Sequence, residues 1–182
     1  MLLEITEQMV TSLSSYFRSF LSDGRDIVTV AEEKQHIQSY LEIQQVRYRD
    51  IMEYEIDIDP SIENTKLPKM TLQPLVENAI YHGLKPKRGK GKIIVTGVRE
   101  NGDIILKVSD TGLGMSEEEL DTLQTRILNE DTKSFGLTSA YKRLKLLYGD
   151  EFDFKIESKP QEGTSISLKI PGKADIENET IL

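Results

Sequence analysis

The sequence contains no cysteine, and that absence removes disulfides, thiolate metal sites and cysteine nucleophiles together. Histidine is nearly as scarce: only His36 and His82 occur, which excludes a histidine-rich metal centre. No apolar run approaches the roughly 18 residues of a membrane span, and no signal peptide is visible. Positive charge is in deficit, with 23 Lys and Arg against 31 Asp and Glu, a net charge of −8. Nucleic acid is therefore not an expected partner, because a phosphate backbone needs a basic face. These features suit a soluble chain in a reducing compartment. At about 150 residues per domain, 182 residues make roughly one domain plus a short extension. The hydrophobic content of 37% is lean but enough for a core.

Met9, Val10, Leu13, Tyr16, Phe17, Phe20 and Leu21 recur at steps of three and four, which predicts one apolar stripe on a leading helix. Ser22-Asp23-Gly24 ends it. Thr29 to Glu32 reads as a capping box, and Ile37, Tyr40, Leu41, Gln44 and Tyr48 share one face of a second helix. Period two follows: Met52, Tyr54, Ile56 and Ile58 alternate with acidic residues as a half-buried strand, closed by Pro60. Thr71 is the expected N-cap of a helix striped by Leu72, Leu75, Val76, Ala79 and Ile80, with Gly83 as its C′ residue. Asn101-Gly102 joins the β-rich runs 92–99 and 103–109 as a hairpin. A capping box at Ser116–Glu119 opens a helix to about Leu128, and a polar stretch runs to Ser134. A helix from Leu137 to Tyr148 stops at Gly149. Two alternating strands follow, carrying Phe152, Phe154 and Ile156, then Ile166, Leu168 and Ile170, with Gly163 in the turn between them. This order predicts an α+β fold, a two-layer sandwich with a largely antiparallel sheet. The expected divisions are a leading helical segment over 1–27, a compact domain over 28–172 and a frayed acidic tail over 173–182.

Four segments carry chemistry. In Leu72–Gly83, the adjacent Glu77 and Asn78 border the apolar stripe; a carboxylate beside a carboxamide offers oxygen ligands to a hard cation, or simply forms a solvated helix edge. Asp110-Thr111-Gly112-Leu113-Gly114-Met115 follows a strand and precedes a capped helix. Its glycines let backbone approach a ligand or adopt positive φ, and its Asp can accept from an exocyclic amine; an ordinary Asp/Gly turn is the alternative. Gly136 and Leu137 stand at a helix start, where exposed N–H groups favour phosphate, or where a glycine merely opens a turn. Glu162-Gly163-Thr164 opens the last strand and equally suits a hairpin turn.

The order of these four segments resembles the ATP-binding domain of the GHKL superfamily, with its Bergerat nucleotide fold. Within it, Gln73-Pro74-Leu75-Val76-Glu77-Asn78-Ala79-Ile80 followed by His82-Gly83 is similar to the LytS/YesM-type sensor histidine kinases. Tyr40-Leu41-Glu42-Ile43-Gln44 with Arg47-Tyr48, and Arg143-Leu144 with Leu147-Tyr148-Gly149, agree. The resemblance runs from about residue 12 to Pro171. It implies that Asn78 binds the Mg²⁺ bridging the ATP phosphates, and that Glu77 orients or deprotonates the nucleophile. It implies that Asp110 accepts from the adenine amine, that Gly112 and Gly114 let the chain wrap the nucleotide with Met115 beside them, and that Thr164 supports the adenine site. Gly136 and Leu137 would lie near the phosphates, His82 beside the nucleotide helix, and residues 116–134 would form the ATP lid.

Some positions depart from the family pattern. Ser134 and Ser139 stand where a glycine and an asparagine are usual, and Tyr81 stands where many related kinases carry Lys. The run Lys85, Lys87, Arg88, Lys90, Lys92 can replace that cation or be a solvated loop. Neither histidine sits in a phosphoacceptor motif; His36 is expected to be exposed on the second helix. The resemblance thus implies a cytoplasmic kinase domain whose accepting histidine lies on an upstream segment absent here, in a parent protein held in the membrane. Its partners would be that segment, a response regulator and a second copy. The alternatives are a catalytically degenerate ATP-sensing module and an anti-sigma serine kinase.

Overall fold

The computed structural model describes residues 2–21, 25–87, 89–130 and 135–172. The expected stop at 22–24, Arg88, Ser134 and the tail from residue 173 lie outside the described residues. Helix α1 (Leu2–Leu21) leads into β1 (Ile27–Thr29), α2 (Val30–Arg47), β2 (Met52–Ile58) and β3 (Lys66–Pro68). Helix α3 (Gln73–Asn78) continues into a π-helical turn (Ala79–Leu84). Then follow β4 (Gly91–Glu100), β5 (Asp103–Asp110), α4 (Glu117–Leu128), α5 (Phe135–Tyr148), β6 (Asp153–Lys159) and β7 (Gly163–Ile170).

Five strands form the main sheet in the order β2-β4-β5-β7-β6, antiparallel except for the parallel β2–β4 pair. Burial alternates along β4, β5 and β7, so one face is packed and the other half-exposed. The register places Val95, Val108, Ile166 and Ile156 in one buried row across four strands. Leu72, Leu75, Val76, Ile80, Leu137 and Leu144 cover that face from the helical layer. This is the expected two-layer α+β sandwich. At its far side, β1 and β3 pair as a small separate sheet that the residue pattern did not announce.

Both capping boxes form. Thr29 and Glu32 exchange side-chain and backbone bonds at the start of α2, and Ser116 and Glu119 do so at α4. The hairpin residues Asn101 and Gly102 both take positive φ, as a primed turn requires.

Two expectations about α3 are corrected. Thr71 does not cap it: the buried Thr71 hydroxyl donates to the Pro68 carbonyl at 2.5 Å. The acceptor role falls to Glu33 of α2, whose carboxylate takes the N–H groups of Met70 (2.6 Å) and Leu72 (2.9 Å). Burial pushes the Glu33 carboxyl upward, while those N–H groups and the nearby Arg143 guanidinium pull it down. Arg143 in turn donates to the Met70 carbonyl at 2.9 Å. Nor is Gly83 a left-handed C′ residue; it lies inside the π-helical turn, and its need for glycine comes from the site below.

Helix α1 lies along α2. Ser12 is buried and donates to Glu42 at 2.5 Å, and Tyr16 stacks on His36 with ring centroids 4.8 Å apart. Met9, Val10, Leu13 and Phe17 remain exposed. Among the described residues no helix is long and apolar enough to cross a membrane.

Candidate nucleotide site

A cleft of about 720 Å³ opens between α3, the loop after β5, α4 and the start of α5. Glu77, Asn78, His82, Gly114, Met115, Gly136, Leu137 and Thr164 all line it. Residues from four separate stretches of sequence therefore meet on one concavity. Glu77 and Asn78 come from the last turn of α3, aimed by the burial of Leu75, Val76 and Ala79 on the sheet. The Asn78 amide has no hydrogen-bond partner among the described residues, which leaves its oxygen available to the cleft.

Asp110 and Gly112 are not on the cleft wall but immediately behind it. Asp110 ends β5 and is 7% exposed. Its Oδ1 accepts the Gly112 N–H at 2.7 Å. Burial lifts its pKa to about 6, against the downward pull of the Gly112 and Thr164 N–H groups and of Lys87. A buried carboxylate of this kind is a strong acceptor for an amine that replaces its lost water.

The glycines permit close backbone approaches and, at Gly114, the positive φ that the sequence reading allows. A β-carbon on Gly112 would lie 2.3 Å from the Gly83 carbonyl carbon, and one on Gly83 would lie 2.5 Å from Asp110 Oδ1. The two backbones are pressed together and pinned by the Leu113 N–H donating to the Gly83 carbonyl at 3.1 Å. Gly114 has φ 64°, and a β-carbon there would lie 1.9 Å from the Lys159 carbonyl oxygen. These close approaches are between protein segments, and they shape the wall behind which Asp110 sits.

Ser158, on β6, was not singled out by sequence reading. Its hydroxyl bonds the Met115 N–H (2.9 Å), the Gly163 carbonyl (3.0 Å) and the Thr164 hydroxyl (2.9 Å), tying together three parts of one wall. A lone serine in an alternating strand carries no signal of such a role. Arg126 was missed too. It lines the cleft from α4 and is the one permanently charged cation on the wall among the described residues. Among the described residues of the basic run, none lines the cleft. Lys90 and Lys92 pair with Glu53 (3.8 Å) and Glu55 (2.5 Å), Lys87 donates to the Thr111 carbonyl, and Lys85 lies over the Tyr81 ring.

His36 is also corrected. It is 3% exposed, its Nε2 lies 2.5 Å from Gln73 Oε1, and burial pushes its pKa down. The second helix is covered by α1 on one side and α3 on another, so a position that reads as polar surface is interior.

The profile of the histidine kinase-, DNA gyrase B- and HSP90-like ATPases matches residues 63–174, and that of histidine kinases matches residues 3–52. The chain belongs to this ATPase family. Its sequence is 31% identical to the sensor histidine kinase YesM of Bacillus subtilis over 93% of this chain, and 34% identical to the sensor protein LytS of Staphylococcus saprophyticus over 92%. It spans only 28% and 29% of those two relatives. Its fold matches the catalytic domain of the histidine kinase ThkA with a TM-score of 0.61 at 19% identity, covering 80% of this chain and 95% of that one. The fold is that of a histidine kinase catalytic domain, the GHKL fold, and the chain is an ATP-binding domain of that kind.

Proposed function

We propose that this chain, chiefly residues 28–172, is the catalytic part of a two-component sensor histidine kinase. It moves the γ-phosphate of ATP to a histidine on an upstream segment, from which the phosphate passes to a response regulator. One observation carries the reading: a single cleft joins the Glu77–Asn78 pair to the Thr164 wall that backs Asp110. The sensor-kinase names of relatives matched over more than nine-tenths of the chain support it.

Asp110 accepts the adenine amine, with Thr164 and Met115 framing the ring. The γ-phosphate points toward Asn78, the first turn of α5 and Arg126. The accepting imidazole attacks through a nitrogen lone pair as the bond from phosphorus to the bridging oxygen breaks, its electrons leaving with ADP. Glu77 holds or removes the proton on the second ring nitrogen. The transition state is loose, so positioning and charge neutralisation supply most of the acceleration.

Mg²⁺ suits these residues. Among the described residues no group of three His, Asp or Glu side chains could hold a metal ion. The protein would offer the Asn78 oxygen, with the remaining ligands left to phosphate and water. When bound, the ion neutralises phosphate charge and fixes the phosphate chain.

The exposed stripe of Met9, Val10, Leu13 and Phe17 fits a dimerisation helix in the 1–27 segment, covered in the full-length protein by a second copy or by its own upstream helix. A parent protein anchored in the membrane, with this domain in the cytoplasm, fits the same reading. Extending the chain upstream through its phosphoacceptor helix and supplying Mg-ATP tests it. Acid-labile phosphate on histidine is the expected product. ATP binding without phosphohistidine would favour the degenerate sensing module, to which the sequence departures Ser134, Ser139 and Tyr81 point. Phosphoserine on a partner would favour the anti-sigma class.

A further inference from the structure

A chain of polar groups runs from the buried side of α2 to the cleft. His36 Nε2 lies 2.5 Å from Gln73 Oε1, and Gln73 Nε2 donates to Glu77 Oε1 at 2.8 Å and to the Tyr16 hydroxyl at 3.2 Å. His36 and Gln73 are 3% and 4% exposed, whereas Glu77 borders the cleft. The amide orientation follows from chemistry. A carboxylate accepts and never donates, so the Gln73 nitrogen must face Glu77 and its oxygen must face His36. The amide oxygen is likewise acceptor-only, so the His36 proton must sit on Nε2. Reversing the amide would set carbonyl oxygen against carboxylate.

We infer that His36 is a positioning residue for Glu77: its Nε2–H locks the Gln73 amide, and the locked amide sets the carboxylate at the cleft. The inference rests on the catalytic reading of Glu77 above. Gln73 and Glu77 stand one turn apart on α3, so the amide spans them without strain. Tyr16, stacked on His36 and bonded by the same amide, carries the chain onto α1. Lys69 and Glu77 are charged groups that act on His36, and the Tyr40 phenol also feels Glu77 from α2. The posture of the leading helix is thereby joined to the carboxylate through two side chains.

The first test is ¹⁵N NMR of the imidazole in the 182-residue chain at pH 7.5. The Nε2–H tautomer is expected, with Gln73 side-chain amide protons protected from exchange. A dominant Nδ1–H tautomer, or unprotected amide protons, overturns the inference without touching the assignment of Glu77. The second is His36→Phe. It should lower the maximal phosphoryl-transfer rate of the upstream-extended protein by about tenfold or more while leaving KM and Mg-ATP affinity within about twofold, since small displacements of a reacting group cost rate rather than binding. His36→Gln returns a donor at the Nε2 position and should recover most of the rate. An unchanged rate in His36→Phe, or a parallel loss of ATP affinity, overturns the inference. If Glu77→Gln transfers phosphate at the normal rate while the predicted tautomer and amide protection are found, the catalytic reading falls and the positioning of Glu77 stands.

Discussion

Gly83 abuts the Asp110 carboxylate so closely that a β-carbon at position 83 would come within 2.5 Å of Oδ1. The π-helical turn after α3 therefore packs against Asp110 and lines the cleft through Tyr81 and His82, and is not a helix end. Gly83→Ala should displace the carboxylate and weaken ATP binding by about tenfold or more, the cost of losing one charge-assisted hydrogen bond. Calorimetric titration with ATP checks this, and an unchanged affinity would show that the contact can relax.

Asp110→Asn removes the charge and leaves an amide that presents a donor as well as an acceptor. Adenine selectivity should fall, with the ratio of ATP to GTP affinity dropping by about tenfold. Competition between the two nucleotides, measured on the wild type and the variant, reads this directly.

Acid should weaken nucleotide binding in a defined window. The Asp110 pKa is raised from 3.8 to about 6, and on the proposed reading the ionised form is the one that would accept from adenine. ATP affinity should rise with pH through about 6 and then level off. Folding stability of the nucleotide-free chain carries the opposite sign. Between 3.8 and about 6 the folded state holds a proton that the unfolded chain has lost, so this group's contribution falls as pH rises. In Asp110→Asn both slopes should flatten. Binding isotherms and urea melts across pH 4 to 8 would detect them.

On the proposed reading Asn78→Ala should weaken Mg-ATP far more than Mg-free ATP, because the side chain lost would be the one offering an oxygen to the ion. Titrations with and without EDTA compare the two. Equal losses would count against a metal role for Asn78.

Glu33→Ala leaves the Met70 and Leu72 N–H groups without their acceptor and strips the neighbouring charge from the half-buried Arg143. Destabilisation of about 3–5 kcal/mol is expected, as when one partner of a buried charged cluster is removed. Urea unfolding measures it. Thr71→Val, in contrast, loses a single neutral hydrogen bond and should cost about 1 kcal/mol.

Sequence by itself determined the helices with capping boxes, the Asn101-Gly102 hairpin, the alternating strands and the sandwich class. All of these follow from contacts between residues close along the chain or from a period that separates a wet face from a dry one. Glu77-Asn78 and Asp110-x-Gly-x-Gly stood out because each keeps its spacing within a short segment, but a solvated edge and a plain turn fitted them equally, and only the fold brings Glu77, Asn78, Gly114 and Met115 onto one cleft. Only the tertiary structure decided which partners came from far away. Glu33 replaced Thr71 as the acceptor at α3, Ser158 tied three parts of one wall, and His36 was buried against Gln73. It also decided why Gly83 and Gly112 must be glycine. A side chain's own neighbours in sequence say nothing of a backbone packed against it from another element, and that packing is fixed only when the helical layer closes on the sheet.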